Sequence, residues 1–450
     1  MSSPSRPPPA SPSSSLSPTL PSPTSAPYSI ADTPVGGIDE VEPDEAPDQR
    51  ARSPRRRLLI GAVVLVVVLA AVIAGALWAT NSEPPPPPPR PDIPLDAWVP
   101  YWTLDSAMAE TDRLGSMRDV SPFWYNAVGV DQIVIDPNAD ADLTTSFMDE
   151  AKGSTANVVP SIVDAMPAGG MAALLADPTS RTAHVEAIAR FAADGDFDGI
   201  DIDYEQFAYA DGRETWAATR PNWVAFITEL GARLHADGRT LTVSIPPIYD
   251  TGQTPDSGYW VYDYGAIAPH VDHIRIMAYD FSVDEPGPIA PLAWVESAIT
   301  AALDATNAPG KLVLGLPAYG RNWPTGVSGD CPDELVEGRT SVTAATVDDL
   351  MARRNATPVF DPESGEWMFE YDLEVTDGVT SCVQTRQVHF VAGGGVLARM
   401  DLARQYQLGG VSLWAFGFDD QGVWDAILPT VTDQAVTDPA ATSTIAPTGD

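Results

Sequence analysis

From about residue 95 onward, short apolar runs alternate with stretches of helical periodicity. The runs predict strands at Leu95–Trp102, Ala127–Ile135, Asn157–Val163, Gly199–Tyr204, Leu241–Ile245, His273–Tyr279, Leu312–Leu316 and Gly410–Trp414. Amphipathic helices are predicted between several of them, for example Thr182–Ala193 and Trp223–Asp237. Eight strands with intervening helices predict an α/β fold, a (β/α)8 TIM barrel. The last two strands are too far apart for one helix, so residues 321–395 predict an inserted subdomain with strand-like pieces such as Trp367–Tyr371. In such barrels the chemistry gathers at the C-terminal ends of the strands.

A different pattern precedes the barrel. Leu58 to Ala79 is a charge-free apolar run of 22 residues, about 33 Å long as a helix and enough to cross a bilayer core. Arg50, Arg52, Arg55, Arg56 and Arg57 precede it, and only Arg90 follows closely. A signal peptide has a shorter apolar stretch close to the N-terminus, so a transmembrane signal-anchor helix is expected. By the positive-inside rule the N-terminus is then cytoplasmic and the barrel extracellular, at the cell membrane. Residues 1–57, Pro/Ser-rich and then acidic, are expected to be disordered. Residues 80–94, with the run Pro84–Pro89, are expected to form a stiff linker. A catalytic-sized unit is expected over 95–431 and a loose tail over 432–450.

Composition narrows the function classes. The formal charge is −37, most of it beyond residue 57, and so acidic a surface excludes non-specific binding of nucleic acid. Two cysteines and five histidines exclude a zinc ribbon, a Cys/His-rich metal centre or a disulfide-framework miniprotein. On an oxidising face of the membrane Cys331 and Cys382 are expected to pair. Closing that loop is worth on the order of 4 kcal/mol in the chain-entropy model; two unpaired buried thiols are the alternative.

The segment richest in chemistry is FDGIDIDYE, Phe197–Glu205. Asp201, Asp203 and Glu205 alternate with Ile200, Ile202 and Tyr204, which in a strand places three carboxyls on one face and apolar side chains on the other. Acids crowded into one interior raise at least one pKa, as a general acid working near neutrality requires. Asp194, Asp196, Asp198, Gly199 and Glu205 also spell a calcium-loop string. Against that stand Asp201 in a slot such loops fill with an apolar residue, the non-amphipathic QFAYADGRE that follows, and the period of two through Tyr204. Asp198 is expected to cap the turn into the strand.

The motif Asp198-Gly199-x-Asp201-x-Asp203-x-Glu205 resembles the signature of family 18 glycoside hydrolases, which include chitinases and peptidoglycan N-acetylglucosaminidases. Met277-Ala278-Tyr279-Asp280, Leu314 to Arg321 (LGLPAYGR) and Gly410-Val411-Ser412-Leu413-Trp414 resemble the family's sixth, seventh and eighth strand motifs, in order. Val99 to Trp102 and Ser121 to Tyr125 look more like the bacterial cell-wall and spore-cortex branch. Pro160 to Asp164 departs from the S-x-G-G of many chitinases, and Gln206-Phe207 stands where they carry Tyr-Pro. The resemblance implies a small α+β insertion between strands seven and eight. It also implies a retaining, substrate-assisted glycosidase acting on β-1,4-linked N-acetylglucosamine polysaccharide, chitin or peptidoglycan, with no metal or organic cofactor.

In that scheme Glu205 is the general acid and later the base. Asp203 orients the acetamido group, Asp201 shares a proton with Asp203, and Tyr279 holds the acetamido oxygen. Asp280, Trp414 and Met277 belong to the motifs at the sugar site, with Trp414 either a floor for a pyranose ring or an ordinary core residue. Trp102 and Tyr101 either line the cleft or only pack. A non-catalytic lectin on the same barrel is the alternative function; such lectins typically lose the acid that is intact here.

Overall fold

The computed structural model describes residues 92–248, 259–332 and 338–428. The predicted N-terminal tail, the apolar run 58–79, nearly all of the Pro-rich linker and the C-terminal tail lie outside them. Among the described residues no helix is long and apolar enough to cross a membrane.

Fifteen strands are found among the described residues: β1 Leu95–Pro100, β2 Asp119–Gly129, β3 Gln132–Ile135, β4 Asn157–Val158, β5 Ser161–Asp164, β6 Gly199–Asp203, β7 Thr240–Ile245, β8 His273–Ile276, β9 Leu312–Pro317, β10 Tyr319–Gly329, β11 Thr340–Thr343, β12 Val359–Asp361, β13 Glu366–Thr376, β14 Ser381–Phe390 and β15 Gly410–Trp414. Strands β1, β2, β5, β6, β7, β8, β9 and β15 pair in parallel in that circular order, and the β1–β2 and β1–β15 ladders close the ring. This is the expected eight-stranded barrel. Every residue of β1, β6 and β9 is buried, as strands covered on both faces by side chains and helices must be.

Three of the predicted strands differ from those found. The second barrel strand is Asp119–Gly129 rather than 127–135, because the chain reverses at Val130-Asp131 and Gln132–Ile135 folds back antiparallel on β2. The returning arm is largely exposed, whereas residues 119–122 are wholly buried; the barrel-forming part lay upstream of the most continuous apolar run. The third is interrupted at Val159-Pro160, leaving β4 and β5. The sixth ends at Ile276; Met277 N still donates to Ile245 O of β7 (3.2 Å), and two successive tight turns (Ala278 N to Ile276 O, 2.8 Å; Tyr279 N to Met277 O, 2.9 Å) throw Ala278-Tyr279-Asp280 off the ladder.

Helices cover the ring. Pro178–Asp194 begins before the predicted Thr182, with Pro178 in its first turn and Asp177 accepting from Ser180 N. Trp216–Ala236 begins before the predicted Trp223 and carries Pro221 inside it, a residue that reads as a helix break in sequence.

The insertion spans Tyr319–Phe390. Five antiparallel strands in the order β11-β10-β14-β13-β12 carry the helix Ala344–Arg354 over an apolar cluster that includes Val347, Phe369, Tyr371, Val388 and Phe390. Cys331 and Cys382 are joined, with Cα atoms 4.7 Å apart.

Candidate active site

The site begins with one strand. Gly199 opens β6 where a Cβ would stand 2.0 Å from Thr240 Oγ1 and 2.7 Å from Thr240 O, so only glycine lets β6 lie against β7. Asp198, just before it, ties its carboxylate to Val158 N at 2.8 Å, bracing the start of the strand. Period-two alternation then turns Asp201 and Asp203 inward, and both are buried. Tyr204 is turned the other way, its hydroxyl 2.7 Å from His184 Nε2.

Glu205 lies just past the strand, at the entry to the one-turn helix Gln206–Tyr209, and is partly buried. The calcium-loop string does not fold as a loop, since Asp194 to Asp198 and Glu205 sit at opposite ends of β6.

Asp201 is held in the barrel floor by four donors, one of them shared between its two oxygens. Oδ2 accepts from Ser161 Oγ (2.6 Å), Trp98 Nε1 (3.2 Å), Ser244 Oγ (3.0 Å) and Arg275 Nη1 (3.2 Å), and Oδ1 accepts from Ser244 Oγ (2.8 Å). Beside the expected partner Asp203, Asp201 thus has a buried ion-pair partner in Arg275. Arg275 also donates to Ser121 Oγ at 2.7 Å and lies 3.4 Å from Asp96. Asp96 is in turn gripped by Arg118 at 2.7 and 2.9 Å.

Asp203, one layer nearer the mouth, has a buried Oδ1 without a hydrogen-bond partner. Burial holds its pKa well above the ordinary carboxylate range; Glu205 and Asp201 add to the rise and Arg275 opposes it. Glu205 is raised to about 7, by burial first and then by the charge of Asp280. The crowding is thus real: Asp203 and Glu205 act on one another, and Asp280 adds to the rise of Glu205.

The motifs at the other strand ends converge here. Tyr279 stands over Gly315, where a Cβ would come within 2.8 Å of the Tyr279 ring and 2.9 Å of Ile276 O. Its pKa is pushed well above normal by burial, then by Asp203 and Glu205. Met277 is buried and Asp280 exposed. Asp280 adopts a left-handed backbone, φ 63°, uncommon for a residue with a side chain. It is clasped by Arg321 at 2.6 Å and by the Tyr319 hydroxyl, both from β10.

Trp414 ends β15 in an aromatic box. Its ring is nearly parallel to Tyr279 (centroids 6.4 Å apart) and edge-on to Phe123 (5.2 Å), Trp98 (5.8 Å) and Trp102 (6.3 Å). Trp102 is 51% exposed, with Tyr101 packed edge-on at 4.9 Å. The fold therefore brings Glu205, Asp203, Asp201, Tyr279, Asp280, Met277, Trp414, Trp102 and Tyr101 to the C-terminal end of one barrel. Cys331 and Cys382 lie apart from it, in the insertion.

Sequence reasoning did not find Arg275, Ser161, Ser244, Trp98, Phe123 or Tyr262. Tyr262 donates its hydroxyl to Tyr204 O at 2.8 Å and lies in the field of Glu205 and Asp203. Tyr319 and Arg321 sat unremarked inside the quoted LGLPAYGR motif. A lone Arg between isoleucines in a strand predicted to line a barrel of acids is the signal that points to Arg275.

Chemically, the site offers one partly buried carboxyl whose pKa matches a general acid working near neutrality, a second buried carboxyl beside it, and an aromatic wall. Over 316 residues the chain is 24% identical to the uncharacterized glycosylase YvbX of Bacillus subtilis, covering 68% of this chain and 84% of that protein. The fold is shared with a chitinase from Chromobacterium violaceum (23% identity, TM-score 0.59, 77% of this chain and 99% of that one). It is also shared with the spore cortex-lytic enzyme SleL of Bacillus megaterium (18% identity, TM-score 0.61, 77% and 76%). The family model for glycosyl hydrolases family 18 matches residues 114–419, and the chain belongs to that family, as a chitinase-like glycosidase.

Proposed function

We propose that this chain is a membrane-anchored, extracellular glycosidase that cleaves β-1,4-linked N-acetylglucosamine polysaccharide, chitin or peptidoglycan, with retention of configuration. The observation that carries the proposal is the Asp203–Glu205 pair: a general-acid carboxyl raised to about 7 next to a buried carboxyl with an unpartnered oxygen. Family 18 enzymes are among the exceptions that dispense with a carboxylate nucleophile and use the substrate instead.

In this scheme Glu205 protonates the glycosidic oxygen while the 2-acetamido oxygen of the sugar attacks C1, giving an oxazolinium ion. Asp203 accepts from the acetamido N–H and offsets the positive charge. Tyr279 donates to the acetamido oxygen, Asp280 positions the same sugar, and Trp414 supplies the apolar face beneath the pyranose. Glu205, now a carboxylate, then takes a proton from water as it opens the ring. Arg275 and Ser244 hold Asp201 in place in the floor beneath the upper pair.

The anchor is supported by the 22-residue apolar run Leu58–Ala79 behind a cluster of arginines. Both polymers remain in the proposal because the relatives include chitinases and cortex-lytic enzymes. Incubating the purified protein with colloidal chitin and with purified peptidoglycan, and following the first products by proton NMR, tests it. The β-anomer of an N-acetylglucosamine-ended product is expected from at least one polymer. An initial α-anomer would contradict substrate assistance, and binding to both polymers without release would favour a lectin.

A further inference from the structure

The loop that follows Trp414 is fastened at a point remote from the acid pair. Its backbone is pinned by Phe416 N to Trp98 O (3.0 Å), and Ala318 N donates to Trp414 O (2.9 Å). Gly417, at φ 90°, presses on the segment after β1; a Cβ there would meet Thr103 O and Cβ at 3.0 Å and Ala107 N at 3.2 Å. The far end of the loop is held by one side chain. Buried Asp419 accepts from Gly417 N through Oδ1 (2.8 Å) and from the Trp424 indole through Oδ2 (2.5 Å).

The same indole N–H also donates to Glu110 Oε2 at 3.0 Å. Two carboxyl groups, one from the segment after β1 and one from the loop after the neighbouring strand β15, therefore converge on a single donor. With one N–H between them, two ionised carboxylates, buried Asp419 and partly exposed Glu110, would face each other, and a proton between the carboxyls removes the conflict.

The charged surroundings do not remove it. From the β1 side Arg113 reaches Glu110 at 3.2 Å and lies 4.6 Å over the Trp424 ring, a contact to the outer, partly exposed carboxyl. On Asp419's own element, Asp420 is spent on Val423 N (2.8 Å) and Asp425 accepts from Gln421 (2.7 Å); neither brings a positive charge. The insertion meets the loop through the Ala345 amide, which donates to Phe418 O.

We propose that Glu110 and Asp419 share one proton that latches the loop carrying Trp414 to the segment after β1, making both of them positioning residues for the sugar-binding aromatic box. This role rests on the sugar-binding reading above. Burial and Glu110 together raise Asp419 to about 7, with the Gly417 amide and the Trp424 indole opposing. The latch is thus closed in mild acid and loosens as pH rises through neutrality, when the second carboxylate appears.

The test uses the full chain in detergent, labelled with 5-fluorotryptophan, with the Trp414 resonance assigned from W414F. All proteins carry E205Q, so that neither turnover nor titration of Glu205 contributes. Without sugar, the Trp414 resonance is expected to shift with a midpoint close to 7, and to stay fixed from pH 5.5 to 8.5 in D419N and E110Q, where a neutral amide replaces one carboxyl. Affinity for chitotriose is expected to weaken about threefold or more over that range in the E205Q parent and to stay level in both variants. E110Q alters a partly exposed side chain, so it serves if D419N does not fold. A resonance that does not move in the parent, or moves equally in the variants, would overturn the proposal. A titrating resonance in a protein that binds no chitotriose would overturn the sugar-binding reading and the positioning role, while leaving the shared proton established.

Discussion

Arg275 lies 3.2 Å from Asp201 at the centre of the barrel, and neither side chain has any solvent exposure. The pair underlies the acid site. Asp201 and Asp203 from β6 and Asp96 from β1 approach one axis; the Arg275 guanidinium, itself 5.0 Å from the Trp98 ring centre, balances Asp201 and shares Asp96 with Arg118. Removing only the cation leaves the buried carboxylate of Asp201 uncompensated, while Asp96 keeps Arg118. R275M is expected to cost about 3–5 kcal/mol of stability, seen as a lower urea midpoint at pH 7. The double variant R275M/D201L is expected to recover part of that loss, and full stability of R275M alone would contradict the arrangement.

Glu205 has to carry a proton to act as an acid, and its pKa is raised to about 7 by burial and by Asp280. Activity is therefore expected to fall as pH rises through about 7, which places the basic limb of kcat/KM there. Asp280→Asn removes a like charge, so the Glu205 pKa drops and the basic limb moves toward acid. A kcat/KM profile of D280N with an unmoved or alkaline-shifted limb would show that Asp280 does not govern the proton.

Trp102 separates lining from packing. Half exposed and touching Tyr101, Phe123 and Trp414 only by ring edges, it contributes little to the core. W102A is expected to raise KM for chito-oligosaccharides about tenfold, the worth of an aromatic contact of ~1.4 kcal/mol, with kcat and melting temperature nearly unchanged. A lowered melting temperature with unchanged KM would make Trp102 a packing residue.

The Cys331–Cys382 bridge closes a loop across 51 positions, for which the chain-entropy model gives about 4 kcal/mol. Its two ends lie in the insertion, away from the acid pair. C331S/C382S is expected to lower the denaturation midpoint while sparing kcat in native conditions. Loss of kcat without loss of stability would tie the bridge to the site.

What the sequence made legible follows from periodicity. Ile200, Ile202 and Tyr204 alternating with acids identified β6 and its inward face, and the motifs of β8, β9 and β15 marked strand ends that the fold brings together. Long-range partners were not legible. Arg275 appears in sequence as a lone cation between Ile274 and Ile276, and nothing local says that it meets Asp201, 74 positions away. Asp280 likewise gives no sign of Tyr319, 39 positions on.

Two boundaries went astray for local reasons. The apolar run through Ala127–Ile135 hid a reversal at Asp131, and Pro221 disguised the first turns of a helix that tolerates it. The Glu110–Asp419 convergence joins opposite ends of the domain, where only tertiary structure supplies the contact.

The most direct measurement is turnover of a chromogenic chito-oligosaccharide by the wild-type protein and by Glu205→Gln at pH 6. Loss of the acid is expected to lower kcat by about 10²–10⁴-fold while chitotriose still binds. Equal turnover by the two proteins would remove Glu205 from the chemistry.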